Sequence, residues 1–126
     1  MTEHFRTVVT QVSKEALELV EGGILILFAD GAPPELAEVS VLHRVISNPT
    51  AEAPAVGAVL RIDGMSTKVT AVGEEAWKKI DDMGHVVINF DGAAVAPRPG
   101  EISVAPVDLS ALAAVLQPGI EISLQS

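Results

Sequence analysis

The chain contains no cysteine and no tyrosine. Without thiols there is no disulfide framework, no thiolate nucleophile and no zinc–sulfur centre. Aromatic residues make up only 3%, namely Phe5, Phe28, Trp77 and Phe90. Small-molecule pockets are usually richer in aromatic side chains, so this scarcity disfavours a ligand-binding β-barrel. Basic residues are also few, 8 Lys and Arg against 17 Asp and Glu, for a formal net charge of −9. Scattered cations cannot neutralise a run of phosphates, which argues against a nucleic-acid partner and against a polybasic membrane patch. The apolar run Ile24 to Ala29 is far shorter than the roughly 20 residues of a membrane span. The opening MTEHFRTVVT lacks the basic and apolar regions of a signal peptide. A cytoplasmic protein is the expectation.

Familiar catalytic signatures are missing as well. No GxxxxGK[ST], GxGxxG, HExxH, GxSxG or EF-hand loop occurs, nor any HxH pair. Three scattered histidines are a thin metal-ligand set, so neither a metal nor a cofactor is expected.

What the chain does have is length and apolar content for one domain. Its 126 residues are 48% hydrophobic and 20% charged, enough to offset the entropy of ordering, with roughly two-thirds of the unfolded surface buried. No repeat, linker or boundary interrupts residues 1–126, so a single domain is expected. Phe5 to Val12 alternates imperfectly in the manner of a half-buried strand. Ile24 to Phe28 is continuously apolar, which suits a strand covered on both faces, and Asp30-Gly31-Ala32-Pro33-Pro34 stops it. Val39 to Ile46 is the next strand, followed by a loop from Ser47 to Pro54. Val56 to Ile62, Asp63-Gly64 and Thr67 to Val72 read as a hairpin. His85 to Phe90, Glu101 to Val107 and Ile120 to Leu124 complete the strands.

Helical periodicity is clear only from Glu74 to Met83. Trp77, Ile80 and Met83 share a face, and Glu74–Lys78 and Glu75–Lys79 have the spacing of surface pairs. Gly84 stands where a left-handed cap would end that helix. Leu109 to Leu116 is a weaker helix before Pro118-Gly119. The fold class that follows is mainly β, an antiparallel barrel or sandwich of short strands with one or two short helices.

Chemistry then rests on His4, His43 and His85. Strand alternation puts His43 on one face with Val39, Val41 and Val45. A core imidazole whose nitrogens are satisfied by backbone is one reading of that position. The other is a nucleophile: an imidazole with pKa about 6.5 is mostly uncharged near neutral pH and carries one free lone pair. Apolar neighbours favour the neutral form further. His85 follows Gly84 at a strand start, where a plain polar residue or a role beside His43 are both open. His4 reads as a solvated terminal residue. Glu35, Glu38 and Asp91 matter only if folding brings them to His43; otherwise they are surface charge.

Residues around both central histidines resemble a known family. Asp30-Gly31-Ala32-Pro33-Pro34-Glu35-Leu36-Ala37-Glu38 followed by Val41-Leu42-His43 resembles the "GAP…LEE…IH" stretch of the glucitol/sorbitol-specific enzyme IIA of the bacterial phosphotransferase system. Val69-Thr70-Ala71-Val72-Gly73, Gly84-His85-Val86 and Phe90-Asp91-Gly92, then Pro99-Gly100, are similar to a second block of that family. Arg44 after the histidine and the Ser47 to Pro54 loop depart from the pattern. The resemblance implies a cytoplasmic phosphoryl carrier. It takes a phosphoryl group from the phosphocarrier protein HPr onto Nε2 of His43 and hands it to a cysteine of enzyme IIB, with His85 in possible support. Contact with the membrane is then only indirect, through the IIB/IIC permease. Such a relay needs a shallow site, because donor and acceptor must each approach it. Backbone N–H groups near Gly31, or His85, are the expected phosphate donors. A non-catalytic regulatory module on the same fold is the alternative.

Overall fold

The protein, described here by a computed structural model, is defined over residues 2–126. In chain order its elements are β1 (Glu3–Val12), α1 (Lys14–Glu21), β2 (Ile24–Ala29), α2 (Pro34–Ala37), β3 (Val41–Ser47), β4 (Val59–Ile62), β5 (Met65–Val72), α3 (Ala76–Met83), β6 (Val86–Asn89), β7 (Glu101–Val104), α4 (Leu109–Val115) and β8 (Glu121–Gln125). The strands close into a barrel in the order β1-β3-β2-β6-β7-β5-β4-β8, with β8 pairing back to β1. Closure leaves no sheet edge, which removes the usual aggregation risk of a β protein. Between barrel and sandwich, the barrel is what forms, and the protein is mainly β with mostly antiparallel pairs.

Two pairs are parallel, β2 with β3 and β6 with β7. Each needs a crossover rather than a hairpin, supplied by residues 30–40, which carry α2, and by residues 90–100. Alternation fixes what each strand buries. Phe5, Thr7 and Val9 of β1 point inward with Leu25 and Leu27 of β2, and Leu60, Ile88, Ile102 and Ile122 fill the same core. Burying each of the large aliphatic side chains is worth roughly 1.5–3 kcal/mol. The β4–β5 hairpin turns at Asp63-Gly64, where Asp63 takes φ 52°, so Ile62 faces Met65 across the turn.

Four helices form among the described residues, more than periodicity suggested. Helix α1 is capped by the Ser13 hydroxyl, which accepts from the Ala16 N–H, and buries Ala16 and Val20. α2 is a single turn begun by Pro33-Pro34, residues that look like a pure stop but suit a helix start. α3 begins at Ala76, so Glu74 and Glu75 precede it, and neither expected pair with Lys78 or Lys79 appears among the ion pairs of the described residues. Burial of Ala76, Trp77 and Ile80 fastens α3 to the barrel, and the Trp77 indole N–H donates to the Thr50 carbonyl at 2.6 Å.

Gly84 ends α3 with φ 61°, and its N–H returns to the Ile80 carbonyl. A side chain there would meet Cβ of Ala29 at 2.8 Å and Cε1 of His43 at 3.1 Å. Left-handed strain and overpacking therefore add, and Gly84→Ala is expected to cost about 2–4 kcal/mol. Urea unfolding checks this by the shift in midpoint.

Candidate functional site

Alternation in β3 turns Val41 and His43 inward, and the register places His43 between Val9 of β1 and Ala29 of β2. The imidazole is 1% exposed. Phe5 presents to it edge-on, with ring centroids 6.2 Å apart. Nε2 lies 2.6 Å from the Gly84 carbonyl oxygen, and Nδ1 lies 2.5 Å from the Thr7 hydroxyl. A carbonyl oxygen only accepts, so Nε2 carries a proton and donates it to Gly84. Thr7 Oγ1 also reaches the Arg44 carbonyl at 2.8 Å and is itself fully buried. Its single hydroxyl proton therefore serves either Nδ1 of the neutral ring or the Arg44 carbonyl.

These contacts correct the expectation of a shallow, reachable His43. Both ring nitrogens are taken, and no lone pair faces a partner protein. Burial pushes the pKa of His43 below its ordinary 6.5, against the bond to Gly84 and the negative charge of Asp30, which both pull it up. The neutral ring foreseen from its apolar neighbours is thus favoured. Asp30, which accepts a hydrogen bond from the Thr10 hydroxyl, is the carboxylate whose field reaches His43. Glu35, Glu38 and Asp91 are not hydrogen-bond partners of either His43 nitrogen, which bond to Thr7 and Gly84.

His85 is the next residue after Gly84 and faces the other way. Nδ1 donates to the Leu27 carbonyl at 3.0 Å, and the ring stacks on Phe28 with centroids 4.8 Å apart. Nε2 has no hydrogen-bond partner among the described residues. His85 lines a surface groove of about 200 Å³ together with Glu75, Lys79, Arg98, Gly100 and Glu101. Arg98 pairs with Glu101 at 3.3 Å, and Asn89 also donates to that carboxylate. Lys79 has no carboxylate partner among the described residues. Its Nζ lies where a side chain on Gly100 would pass, 2.8 Å from that glycine's missing Cβ.

The two central histidines are therefore brought together through Gly84, one inside the barrel and one outside it. His4 is not incidental: it bridges Thr50 and Ser126 and stands edge-on to Trp77. Thr7, Lys79 and Arg98 escaped sequence reasoning. Thr7 sits 36 residues from His43, so only the β1–β3 register reveals it. Among the described residues no group of three His, Cys, Asp or Glu could hold a metal ion. None of their helices is long and apolar enough to cross a membrane.

The family described as the PTS system glucitol/sorbitol-specific IIA component matches residues 4–122. The chain belongs to that family. It is 32% identical over 105 residues to the PTS system glucitol/sorbitol-specific EIIA component of Escherichia coli (strain K12), covering 83% of this chain and 84% of that protein. The component of the same name from Shigella flexneri matches to the same extent. A solved structure, "The Crystal Structure of PTS System IIA Component from Enterococcus faecalis V583", superposes with a TM-score of 0.71 at 20% identity, over 96% of this chain and 99% of that one. At that identity it supports the barrel fold.

The folded-state pKa of His43 lies below the 6.5 of an unstrained imidazole. Between those two values the unfolded chain binds a proton that the folded chain does not. The stability tied to the neutral ring is therefore complete above about pH 6.5 and declines as pH falls toward the folded-state value. Unfolding free energies measured by urea across that range should fall on the acid side, and the fall should be shallower in His43→Gln.

Proposed function

We propose that this chain is a histidine phosphoryl carrier of a glucitol/sorbitol phosphotransferase system in the cytoplasm. It accepts a phosphoryl group from phospho-HPr and passes it to the cysteine of enzyme IIB, which phosphorylates the sugar during uptake. The observation carrying this reading is the His43–Gly84–His85 corner, where two imidazoles are each held at one nitrogen by a backbone carbonyl. An imidazole suits a relay because it offers a nucleophilic lone pair at neutral pH, and its bond to phosphorus is easily passed on. Little else is required beyond in-line approach and cations or N–H donors for the phosphate oxygens. No metal or cofactor enters the transfer.

His43, the acceptor implied by family resemblance, can take phosphorus at Nε2 only after its bond to Gly84 breaks and the α3–β6 corner opens. Nε2 of His85 has no hydrogen-bond partner among the described residues. The sealed His43 ring also favours a second reading, a non-catalytic regulatory module that keeps the barrel and docks a partner. The two readings part on one measurement. After incubation with phosphoenolpyruvate, enzyme I and HPr, the intact protein weighed under alkaline conditions should gain one phosphoryl mass, absent when both His43 and His85 are replaced by Ala. A wild-type protein that gains nothing is the binding module.

A further inference from the structure

We infer that Thr7 is a positioning residue for phosphoryl transfer. Its buried hydroxyl, set between Nδ1 of His43 and the Arg44 carbonyl, holds the ring proton on Nδ1 while Nε2 carries phosphorus. The inference rests on the phosphoryl-carrier reading, with His43 as the acceptor that family resemblance implies.

The placement comes from the β1–β3 register, which pairs Val8 with Arg44 and Val9 with His43. Thr7 faces inward from β1 between Phe5 and Val9 and is fully buried. Its Oγ1 stands 2.5 Å from Nδ1 of His43 and 2.8 Å from the Arg44 carbonyl oxygen. A hydroxyl has one proton to give and lone pairs to accept with, so this one can answer either tautomer of the ring. With the corner closed, Nε2–H donates to Gly84 and the Thr7 proton turns to Nδ1. With the Gly84 carbonyl withdrawn, the Thr7 proton turns to Arg44, and Oγ1 accepts from a proton held on Nδ1. Only the hydroxyl hydrogen moves between the two arrangements. Branching at Cβ restricts χ1, which keeps Oγ1 in place for both.

Transfer at Nε2 demands that proton. The hydrogen bond made by one imidazole nitrogen sets the state of the other, and a proton on Nδ1 leaves the lone pair on Nε2. It matters again when phosphorus departs. With Nδ1 protonated the ring leaves as neutral imidazole; without it the ring would have to leave as an imidazolate, a far poorer leaving group.

The steps balance without a co-reactant. As the corner opens, the ring takes one proton from solvent at Nδ1 and releases one from Nε2. The Nε2 lone pair then bonds to phosphorus as the phosphorus–nitrogen bond of phospho-HPr breaks. The electron pair of that broken bond returns to the HPr imidazole. The His43 ring becomes positive, and its Nδ1–H donates to Thr7 in a charge-assisted hydrogen bond. In onward transfer the IIB thiolate attacks phosphorus, and the pair in the breaking bond returns to Nε2. The proton stays on Nδ1 throughout.

Two substitutions separate the hydroxyl from its packing. Thr7→Val keeps the branched shape and removes the hydroxyl, whereas Thr7→Ser keeps the hydroxyl and removes the methyl. Phosphorylation by phospho-HPr should be about tenfold slower in Thr7→Val, the loss of one hydrogen bond to a charged group. Thr7→Ser should recover most of the wild-type rate. Isotope-edited NMR of the His43 ring should find the Nδ1 proton of the phosphorylated wild-type protein protected from solvent exchange. That protection should be kept in Thr7→Ser and lost in Thr7→Val. An unchanged rate in Thr7→Val, or a loss that Thr7→Ser does not repair, overturns the role. If Thr7→Val does not fold, the wild-type spectrum decides, and an unprotonated Nδ1 in the phosphorylated protein overturns it. Failure of the underlying reading looks different. Trypsin releases His43 on the peptide ending at Arg44, and a phosphorylated wild-type digest without phosphorus there removes the acceptor and the Thr7 role with it.

Discussion

Inside the end of the barrel, the Nε2–H of His43 donates to the carbonyl of Gly84 across 2.6 Å. An imidazole cannot be buried at 1% exposure unless both nitrogens are satisfied, since each one left without a partner costs about 1–3 kcal/mol. Thr7 answers Nδ1 and Gly84 answers Nε2. The direction of that carbonyl depends on the left-handed conformation of Gly84, which also ends α3 and launches β6. Helix termination, strand start and histidine tautomer are thus one constraint. Ala29, His43 and the αL glycine crowd one another so closely that no side chain at position 84 would fit unstrained.

The same corner divides two chemically similar residues between two environments. His43 faces inward from β3, among Phe5, Thr7 and Val41. His85 follows Gly84 directly and leaves on the outer surface over Phe28. Desolvation favours the neutral form of the inner ring, whose two nitrogens both have hydrogen-bond partners. The outer ring makes one hydrogen bond among the described residues, from Nδ1 to the Leu27 carbonyl.

Much of the barrel was legible, for local reasons. Thr- and Val-rich alternation marked β1, and Asp63-Gly64 marked the hairpin whose turn takes a positive φ at Asp63. Gly84 was readable as a helix cap because only a glycine sits comfortably at φ 61°. α1 was missed although Ser13 caps it, since its apolar residues Ala16 and Val20 are few and Gly22-Gly23 cuts it short. α2 was missed because Pro33-Pro34 reads equally as a strand stop and as a helix start. The parallel pairings join strands on either side of 11-residue crossovers (residues 30–40 and 90–100), and nothing local to those segments declares a parallel neighbour. Alternation gave the inward face of His43, but its closure depends on Thr7 and Gly84, 36 and 41 residues away. The Lys79–Arg98 groove beside His85 is likewise assembled from segments that sequence spacing does not connect.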